Sequence, residues 1–280
     1  MQNHFKRYVT KSRWIKKIIP RLYLPETCYV KINSGLKIYA SPRDVNGPSF
    51  HLAYGKDEGF NNYEQTNKKI IASHLKDGDV FFDVGANIGL FSLYLKQIYP
   101  KLECHLFEPF PTLYKCLNLT VKNSKIENFH VSNFALCNEN KELEFFVDTF
   151  NDGGHSLKSE SISHRSKKGE SVKAQGKKLD SFIVENNISR LDFIKVDIQG
   201  AEIEFLKGAR ESIKKLRPKM MVEINNDNLQ EFVDIIAALK YEVFCPYLNE
   251  NIDASRISEL KAKLERSGKD EENYFFFPTK

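Results

Sequence analysis

Short apolar runs alternate with amphipathic stretches from residue 79 onward, and this alternation constrains the fold more than any other feature. Strands buried on both faces are continuously apolar, whereas the helices that cover them carry apolar residues three or four positions apart. The pattern therefore predicts an α/β fold with a mostly parallel sheet and helices on both faces. The predicted strands are residues 80–84, 102–107, 129–134, 191–196, 220–224, 241–244 and 274–277, and the helices are residues 90–97, 112–121, 202–207, 229–239 and 255–265.

The segment before this pattern is predicted to be a small N-terminal extension, residues 1–62, ahead of a main domain at residues 63–280. Two apolar stretches flank Asn33-Ser34-Gly35 within residues 28–40, which is typical of a β-hairpin. Residues 41–62 are rich in Pro, Gly and Asn and are predicted to form a loop. Residues 63–75 are predicted to form a helix.

Residues 1–25 are basic and contain no acidic side chain before Glu26. Several apolar residues among them fit helical spacing, so a basic amphipathic helix is predicted. Such a helix either lies on an anionic membrane surface or a partner, or packs on its own domain. Elsewhere the acidic and basic residues interleave and the net charge is only +5, so no nucleic-acid partner is expected.

Composition excludes several other classes of protein. Hydrophobic residues make up 41% and charged residues 28%, which is typical of a globular chain. The five cysteines are scattered without a C-x-x-C pair, so neither a disulfide framework nor a zinc site is indicated. The longest apolar stretch, residues 80–95, is too short to span a membrane, and the N-terminus has no apolar signal region. A cytoplasmic location follows by default, with peripheral membrane contact left open.

A long polar segment interrupts the main domain at residues 148–170, between two further predicted strands at residues 143–147 and 171–174. It contains Gly153-Gly154 and His155. Long polar loops inside compact domains are commonly functional lids or disordered segments. We predict that residues 148–170 contact the acceptor substrate.

A glycine turn follows the first strand of the main domain, where Asp83, Gly85 and Gly89 form D-x-G-x-x-x-G. Gly85 allows close approach of a ligand, and Gly89 begins a helix whose N-terminal amides attract polar groups. Dinucleotide-binding proteins carry a second glycine where this chain has Asn87. Asp83 favours a cation over a diphosphate. The turn therefore suits a sulfonium cofactor better than NAD, although an NAD-dependent oxidoreductase remains an alternative.

Acidic residues end the neighbouring strands. Glu108 follows the second strand, a position from which an acid can accept hydrogen bonds from ribose hydroxyls. The alternative is that Glu108 is only a surface turn residue. Asp197 ends the fourth strand and is predicted to face the same crevice. Glu202 either contributes to the site or caps its own helix. Glu223 ends the fifth strand on the same rim, but we expect no metal at the reacting centre because the acids form no tight cluster.

These motifs, in this order, resemble the FkbM family of S-adenosylmethionine-dependent methyltransferases. The most distinctive block is residues 194–208 (IKVDIQGAEIEFLKG), although many members carry Glu where this chain has Gln199. The resemblance implies a Rossmann-like sheet of seven strands whose last strand, here residues 274–277, is antiparallel. The other stretches that carry it are residues 79–92 (DVFFDVGANIGLFS), 107–109 (FEP), 135–136 (AL), 153–157 (GGHSL) and 218–223 (PKMMVE).

The resemblance also implies roles for individual residues. By this likeness, Glu108 binds the ribose, Glu64 closes over the cofactor and Asn133 lies near the adenine. The methionine part is implied to contact the residues of the glycine turn, namely Asp83, Gly85, Asn87 and Gly89. Family members usually methylate hydroxyl oxygens, often on sugars or secondary metabolites, which implies a small-molecule or glycan acceptor.

A hydroxyl is a poor nucleophile, so a general base within hydrogen-bond reach is expected to assist the reaction. Asp197 and His155 are the candidates. Asp197 lies at a strand end, and His155 titrates in a suitable pH range. A non-catalytic module that keeps the fold and binds a partner through residues 1–25 remains the second alternative.

Overall fold

The computed structural model describes residues 25–42, 44, 47–146, 171–225, 228–252, 259, 262–263, 266 and 271–279. The predicted basic helix at residues 1–25 lies outside this part apart from its last residue. The predicted acceptor loop with His155 is entirely outside it, and the helix predicted at residues 255–265 is largely so.

The first described elements form a two-stranded antiparallel hairpin, β1 (Cys28–Lys31) and β2 (Lys37–Ala40), as predicted. Residues 41–62 were predicted to be a loop, and this prediction is wrong, because they contain α1 (Pro48–Gly55) and α2 (Asp57–Asn62). The Asp44 carboxylate accepts hydrogen bonds from the amides of Gly47 and Phe50 at 2.6 and 3.0 Å. These hydrogen bonds satisfy backbone N–H groups that have no partner within the helix at the start of α1. Pro48 also favours a helix start, because its fixed φ suits the first helical position.

The main sheet has helices on both faces. After α3 (Gln65–Ser73), the elements of the chain in order are β3 (Val80–Val84), α4 (Leu90–Ile98), β4 (Glu103–Phe107), α5 (Pro111–Ser124), β5 (Phe129–Ser132), β6 (Ala135–Leu136), β7 (Glu142–Phe146), β8 (Ser171–Lys177), α6 (Leu179–Glu185), β9 (Phe193–Val196), α7 (Glu202–Gly208), α8 (Arg210–Leu216), β10 (Lys219–Asn225), α9 (Leu229–Ala238), β11 (Tyr241–Cys245), β12 (Glu250–Ile252) and β13 (Glu271–Pro278).

Within the described ranges, eight of these strands form one sheet in the order β12-β11-β13-β10-β9-β3-β4-β5. The strands from β10 to β5 are parallel neighbours, and β13 is inserted antiparallel between β10 and β11. The α/β class and the antiparallel last strand are confirmed.

The expected count of seven strands is corrected to eight by β12, which pairs antiparallel with β11 at the edge of the sheet. The chain reverses between these strands through a turn in which the Asn249 amide donates to the Pro246 carbonyl at 3.2 Å. Asn249 adopts a left-handed conformation, with φ of 53°. The short polar strand lacks the apolar run by which the others were predicted.

A smaller sheet stands beside the main one, with the order β6-β8-β7 in the described part. It contains the two further strands predicted around residues 143–147 and 171–174. β8 is longer than predicted because Gly176 and Lys177 pair with β6. Gly176 has no side chain and so leaves room for its neighbours. A Cβ on Gly176 would lie 2.7 Å from Cys137 Sγ and from Leu143 Cδ1.

Two hydrophobic clusters, one on each face of the main sheet, form the core. One contains Phe82, Phe107 and Val196, and the other contains Phe81, Phe193 and Met221. The second cluster also includes Ile38 of the hairpin and Phe60 of α2, so the N-terminal extension shares its core with the main sheet. Among the described residues, no helix has the length and apolar character that crossing a bilayer requires.

Candidate functional site

A cavity of about 260 Å³ opens beyond the carboxyl ends of the central strands. This is where ligands of parallel α/β sheets bind, because the loops after the strands diverge there. The main sheet, the N-terminal helices and the small sheet all contribute to its walls. The lining includes Pro48, Tyr63, Glu64, Gly85, Asn87, Glu108, Phe110, Leu113, Ala135, Phe145, Lys195, Asp197, Gln199 and Glu223.

The glycine turn forms one wall, and its shape depends on backbone crowding. A Cβ on Gly85 would lie 1.9 Å from the carbonyl oxygen of Asp197, so the neighbouring strand end requires a glycine there. Asn87 adopts a left-handed conformation with φ of 53°, and its side-chain oxygen accepts the Ile88 amide at 2.8 Å. Asparagine tolerates this conformation better than most residues. The turn is thus held rigidly at the cavity wall.

Gly89 and Asp83 lie behind this wall. A Cβ on Gly89 would come 2.8 Å from a methyl carbon of Leu117, so this glycine serves the packing of α4 against α5. The Asp83 side chain is buried and accepts a hydrogen bond from Ser92 at 2.6 Å. Its second oxygen, Oδ1, faces the buried Lys195 ammonium, whose nitrogen lies 3.5 Å away. Burial raises the pKa of Asp83, and Lys195 and Ser92 partly offset that effect.

Glu108 connects the glycine turn to the loop after β4. Its two carboxylate oxygens accept the amides of Asn87 and Phe110 at 2.8 and 2.9 Å. A carboxylate has about four acceptor positions, so capacity for ligand hydroxyls remains. Burial raises the pKa of Glu108 to about 7, against the lowering effect of the two amides. Asn133 donates to the carbonyls of Glu108 and Pro109 and thereby supports this loop.

Lys195 is the charged centre of the site, although the sequence analysis assigned it no role. Its side chain is buried, and its ammonium donates to the Gly85 carbonyl at 2.9 Å. The same nitrogen lies 3.5 Å from Asp83 Oδ1 and 3.3 Å from Asp197 Oδ2. Burial works to lower the pKa of Lys195, but Asp197 and Asp83 outweigh it and the pKa is raised. The lysine therefore stays charged between two carboxylates.

Asp197 lies at the end of β9 and reaches the cavity beside two other polar side chains. The Gln199 amide donates to Asp197 at 3.2 Å and to Glu223 at 2.8 Å, so it bridges the two acids. Burial works to raise the pKa of Asp197, but the nearby Lys195 ammonium prevails and the pKa is lowered. Asp197 is consequently ionised at neutral pH.

Tyr63 and Glu64 approach the same acids from the N-terminal side. The two side chains hydrogen-bond each other, and Asn67 donates to Glu64 at 3.1 Å. Burial and the charge of Asp197 raise the pKa of Glu64. The backbone of Glu64 is in the left-handed region, with φ of 47°. Two other residues that line the cavity, Asn87 and Gln199, are in the same region, with φ of 53° and 52°. Strained backbone of this kind concentrates at functional sites.

Lys68 anchors the helix that follows Glu64. It is fully buried, donates to the Phe60 carbonyl at 2.7 Å, and burial lowers its pKa to about 8. Four aromatic rings surround its nitrogen within 5.3–5.8 Å, those of Phe60, Tyr63, Phe91 and Tyr94. Contacts between cations and aromatic faces stabilise such a buried charge. Lys68 thus fixes α3 and Tyr63 relative to the cavity.

The structure brings five of the predicted site residues together along the cavity, namely Glu64, Gly85, Asn87, Glu108 and Asp197. Glu223, expected on the same rim, also lines it, whereas other predicted residues are placed differently. Asp83, Gly89 and Asn133 lie behind the walls, and His155 is outside the described residues. Glu202, in the first turn of α7, accepts the Gly200 amide at 2.9 Å and does not line the cavity.

Sequence reasoning missed Lys195, yet a signal for it was present. A lysine between apolar residues in a buried strand requires an internal charge partner, because an unpaired buried charge is very costly. Asp83 and Asp197 are the two acids at neighbouring strand ends. The alternation in IKVD therefore indicated a buried ion pair at this edge of the sheet.

The residues present fit S-adenosylmethionine. The acidic side chains of Glu64, Asp197 and Glu223 line the cavity and suit the positively charged methionine end. Glu108 offers acceptor positions for ribose hydroxyls. Apolar side chains suited to a flat base also line the cavity, including Phe110, Leu113, Ala135 and Leu136.

Comparison with known proteins points in the same direction. The profile of a family described as Methyltransferase FkbM domain matches residues 83–245, more than half of the chain. Methyltransferase sdnD of Sordaria araneosa is 29% identical over 176 residues, which cover 54% of this chain and 68% of that protein. The 31-O-demethyl-FK506 methyltransferase FkbM of Streptomyces tacrolimicus is 25% identical over 162 residues, covering 49% of this chain and 62% of that one.

A third relative, Methyltransferase 1 of Beauveria bassiana, is 25% identical over 162 residues, covering 53% of this chain and 65% of its own length. The chain thus covers between 62% and 68% of the length of these three relatives. Among solved structures, a methyltransferase FkbM from Methylobacillus flagellatus KT aligns with a TM-score of 0.47 and 16% identity, covering 84% of this chain and 56% of that one.

Proposed function

The chain belongs to the FkbM methyltransferase family, whose cofactor is S-adenosylmethionine, and on this premise we propose that it methylates a hydroxyl oxygen of a sugar, glycan or secondary metabolite. The observation that carries this proposal is the Asp197 carboxylate. It is held ionised by Lys195 and lines the same cavity as Glu108 and the glycine turn.

In this proposal, Glu108 and the residues of the glycine turn hold the cofactor. The ionised Glu108 carboxylate accepts hydrogen bonds from ribose hydroxyls, while Glu64 and Glu223, which line the cavity, attract the cationic methionine end. When bound, the cofactor supplies an electrophilic methyl group on a sulfonium. The rigid turn and the buried acids position that group before the acceptor arrives, and such alignment contributes roughly 7–11 kcal/mol to lowering a reaction barrier.

Asp197 acts on the acceptor. It accepts a hydrogen bond from the acceptor hydroxyl, orients an oxygen lone pair, and takes up the proton as the oxygen becomes methylated. Lys195 holds this carboxylate in place through their ion pair, and Gln199 fixes its other oxygen. A positioned base of this kind accelerates reactions by about 10²–10⁴-fold. His155, in the acceptor loop that we propose at residues 148–170, is the alternative base.

The charges around Asp197 also favour one class of acceptor. Glu64, Asp197 and Glu223 all line the cavity, and Lys195 is already paired with two acids. An acceptor that carries a negative charge is repelled by these acids, and a low-dielectric site screens this repulsion poorly. The acceptor in this proposal is therefore a neutral or cationic alcohol rather than a sugar phosphate or a carboxylated sugar.

Methyl transfer from labelled S-adenosylmethionine to a panel of acceptors tests the proposal. The purified chain is incubated with neutral sugars, lipid-linked sugars, hydroxylated metabolites and their phosphorylated counterparts. We expect mass spectrometry to find the labelled methyl group on a hydroxyl oxygen of a neutral or cationic acceptor. Exclusive methylation of nitrogen or carbon would overturn the O-methylation proposal. Absence of both cofactor binding and methyl transfer would instead support the non-catalytic alternative.

A further inference from the structure

A cluster of potential metal ligands lies on the main sheet, away from the cavity. Parallel pairing sets His105 of β4 directly beside His130 of β5. Glu103 precedes His105 by two residues, so their side chains emerge from the same face of the strand. The three side chains therefore meet at the β5 edge of the sheet.

From this arrangement we propose that Glu103, His105 and His130 bind a zinc-class transition metal ion. One potential ligand atom of each residue lies within 4.8 Å of the other two. Glu103 Oε1 is 2.8 Å from His105 Nε2 and 3.9 Å from His130 Nε2. Ligands bonded to tetrahedral zinc at about 2.0–2.2 Å lie roughly 3.3–3.6 Å apart. Shifts of about 1 Å bring all three atoms to these separations.

The surroundings combine one fixed ligand with two adjustable ones. The His105 side chain is 13% exposed and packs against the rings of Phe82 and Phe182. The side chains of Glu103 and His130 are 45% and 55% exposed, so they can adjust to an ion at little cost. Two imidazoles and one carboxylate form a common ligand set for Zn²⁺, and solvent supplies the fourth ligand.

The cluster is remote from the proposed reaction. Glu103 begins β4, whereas Phe107 ends it and lines the cavity. Four residues of extended strand separate the two positions by roughly 13 Å. A metal here would join the edge strand β5 to β4 without contacting the cofactor, so its role is to stabilise the fold. The inference does not depend on the proposed methyl transfer.

Zinc titration of the full chain, stripped of metal with a chelator, tests the inference. We expect calorimetry to detect a Zn²⁺ site, and thermal unfolding to shift upward in its presence. The exposed position of His130 allows H130A to fold, and this variant is expected to bind Zn²⁺ at that site at least tenfold more weakly. The matched control is H51A, which removes an exposed imidazole outside the cluster.

Cobalt provides a second readout, because tetrahedral Co²⁺ has a characteristic visible absorption that H130A should lose and H51A should keep. Two results would overturn the inference. One is the absence of Zn²⁺ binding at micromolar concentrations. The other is equal Zn²⁺ affinity and equal Co²⁺ absorption in the unaltered chain and H130A.

Discussion

Lys195 and Asp197 show how two residues of one strand determine the charge of the cavity. A buried lysine requires acidic neighbours, and a buried aspartate stays ionised only near a cation. Lys195 lies within ion-pair distance of both Asp83 and Asp197, so one ammonium offsets the negative charge of the acids at two neighbouring strand ends. The proposed chemistry depends on this arrangement.

Replacing Asp197 with Asn tests its proposed role as the group that receives the proton. We expect D197N to bind S-adenosylmethionine with near-normal affinity and to lose methyl transfer by about 10²–10⁴-fold. Calorimetry and product formation measure the two effects. Asp234→Asn changes an exposed carboxylate on α9 and should alter neither. Normal turnover of D197N would remove Asp197 from the mechanism.

Replacing Lys195 with Met tests the ion pairs themselves. Removing one partner leaves uncompensated buried charge, so we expect the free energy of unfolding to fall by about 3–5 kcal/mol. Urea denaturation measures this change. Lys173→Met is the control, since Lys173 is 71% exposed and solvent screens its pair with Glu142, so no comparable loss is expected. Equal losses in both variants would contradict the central role of Lys195.

The pKa of Glu108 predicts a pH dependence of cofactor binding. Burial raises this pKa to about 7, so the carboxyl is protonated below that pH and ionised above it. Only the ionised form offers its full set of acceptors to ribose hydroxyls. We therefore expect the Kd for S-adenosylmethionine to rise about tenfold between pH 8 and pH 6.

Calorimetric titrations across this pH range measure the effect, and Glu108→Gln is the control. The amide cannot titrate, so E108Q should bind more weakly at high pH and show a flatter profile. The same pH dependence in both proteins would assign the titration to another group.

Of the five predicted residues that line the cavity, all but Glu64 lie at or just after the end of a predicted strand. Glu108 and Asp197 were placed at the cavity because carboxyl ends of parallel strands meet at one edge. The bridge from Gln199 to Glu223 could not be predicted, because it depends on the left-handed backbone at Gln199. Side-chain geometry of this kind has no periodic signature.

At the scale of elements, the start of α4 lies against Leu117 of α5 because Gly89 has no side chain. Gly89 and Gly78 both have positive φ, at 78° and 84°, but only Gly89 is crowded. A left-handed conformation costs an alanine about 1–2 kcal/mol. We expect Gly78→Ala to destabilise by that amount, and Gly89→Ala by a further 1–3 kcal/mol or so, because the new methyl meets Leu117.

Urea unfolding of the two variants measures the difference between them. Because both carry the same backbone strain, the difference isolates the packing of the two helices. Equal destabilisation would show that Leu117 moves aside freely and that the contact between α4 and α5 tolerates an added methyl group.

The central strands were predictable because burial on both faces makes them continuously apolar. The helices α1 and α2 were missed for an identifiable reason. Their sequence is rich in Gly, Pro and Asn, and α1 begins with support from Asp44, whose hydrogen bonds to Gly47 and Phe50 were not recognised in the sequence. β12 was missed because it is short and polar.

At the scale of the whole molecule, the cavity exists only when distant parts of the chain assemble. Its lining combines Pro48 and Tyr63 from the N-terminal region, Phe145 from the small sheet and Asp197 from the main sheet. The domain boundary proposed at residue 62 marks a change in sequence pattern, but residues on both sides of it line the same cavity. A family match over residues 83–245 does not include the N-terminal wall.

Calorimetric titration of the purified chain with S-adenosylmethionine, beside an identical titration with NAD, tests the central claim most directly. The account predicts saturable binding of S-adenosylmethionine with one cofactor per chain and no binding of NAD, because Asn87 replaces the glycine that admits a pyrophosphate. Saturable binding of NAD together with no heat from S-adenosylmethionine would contradict it.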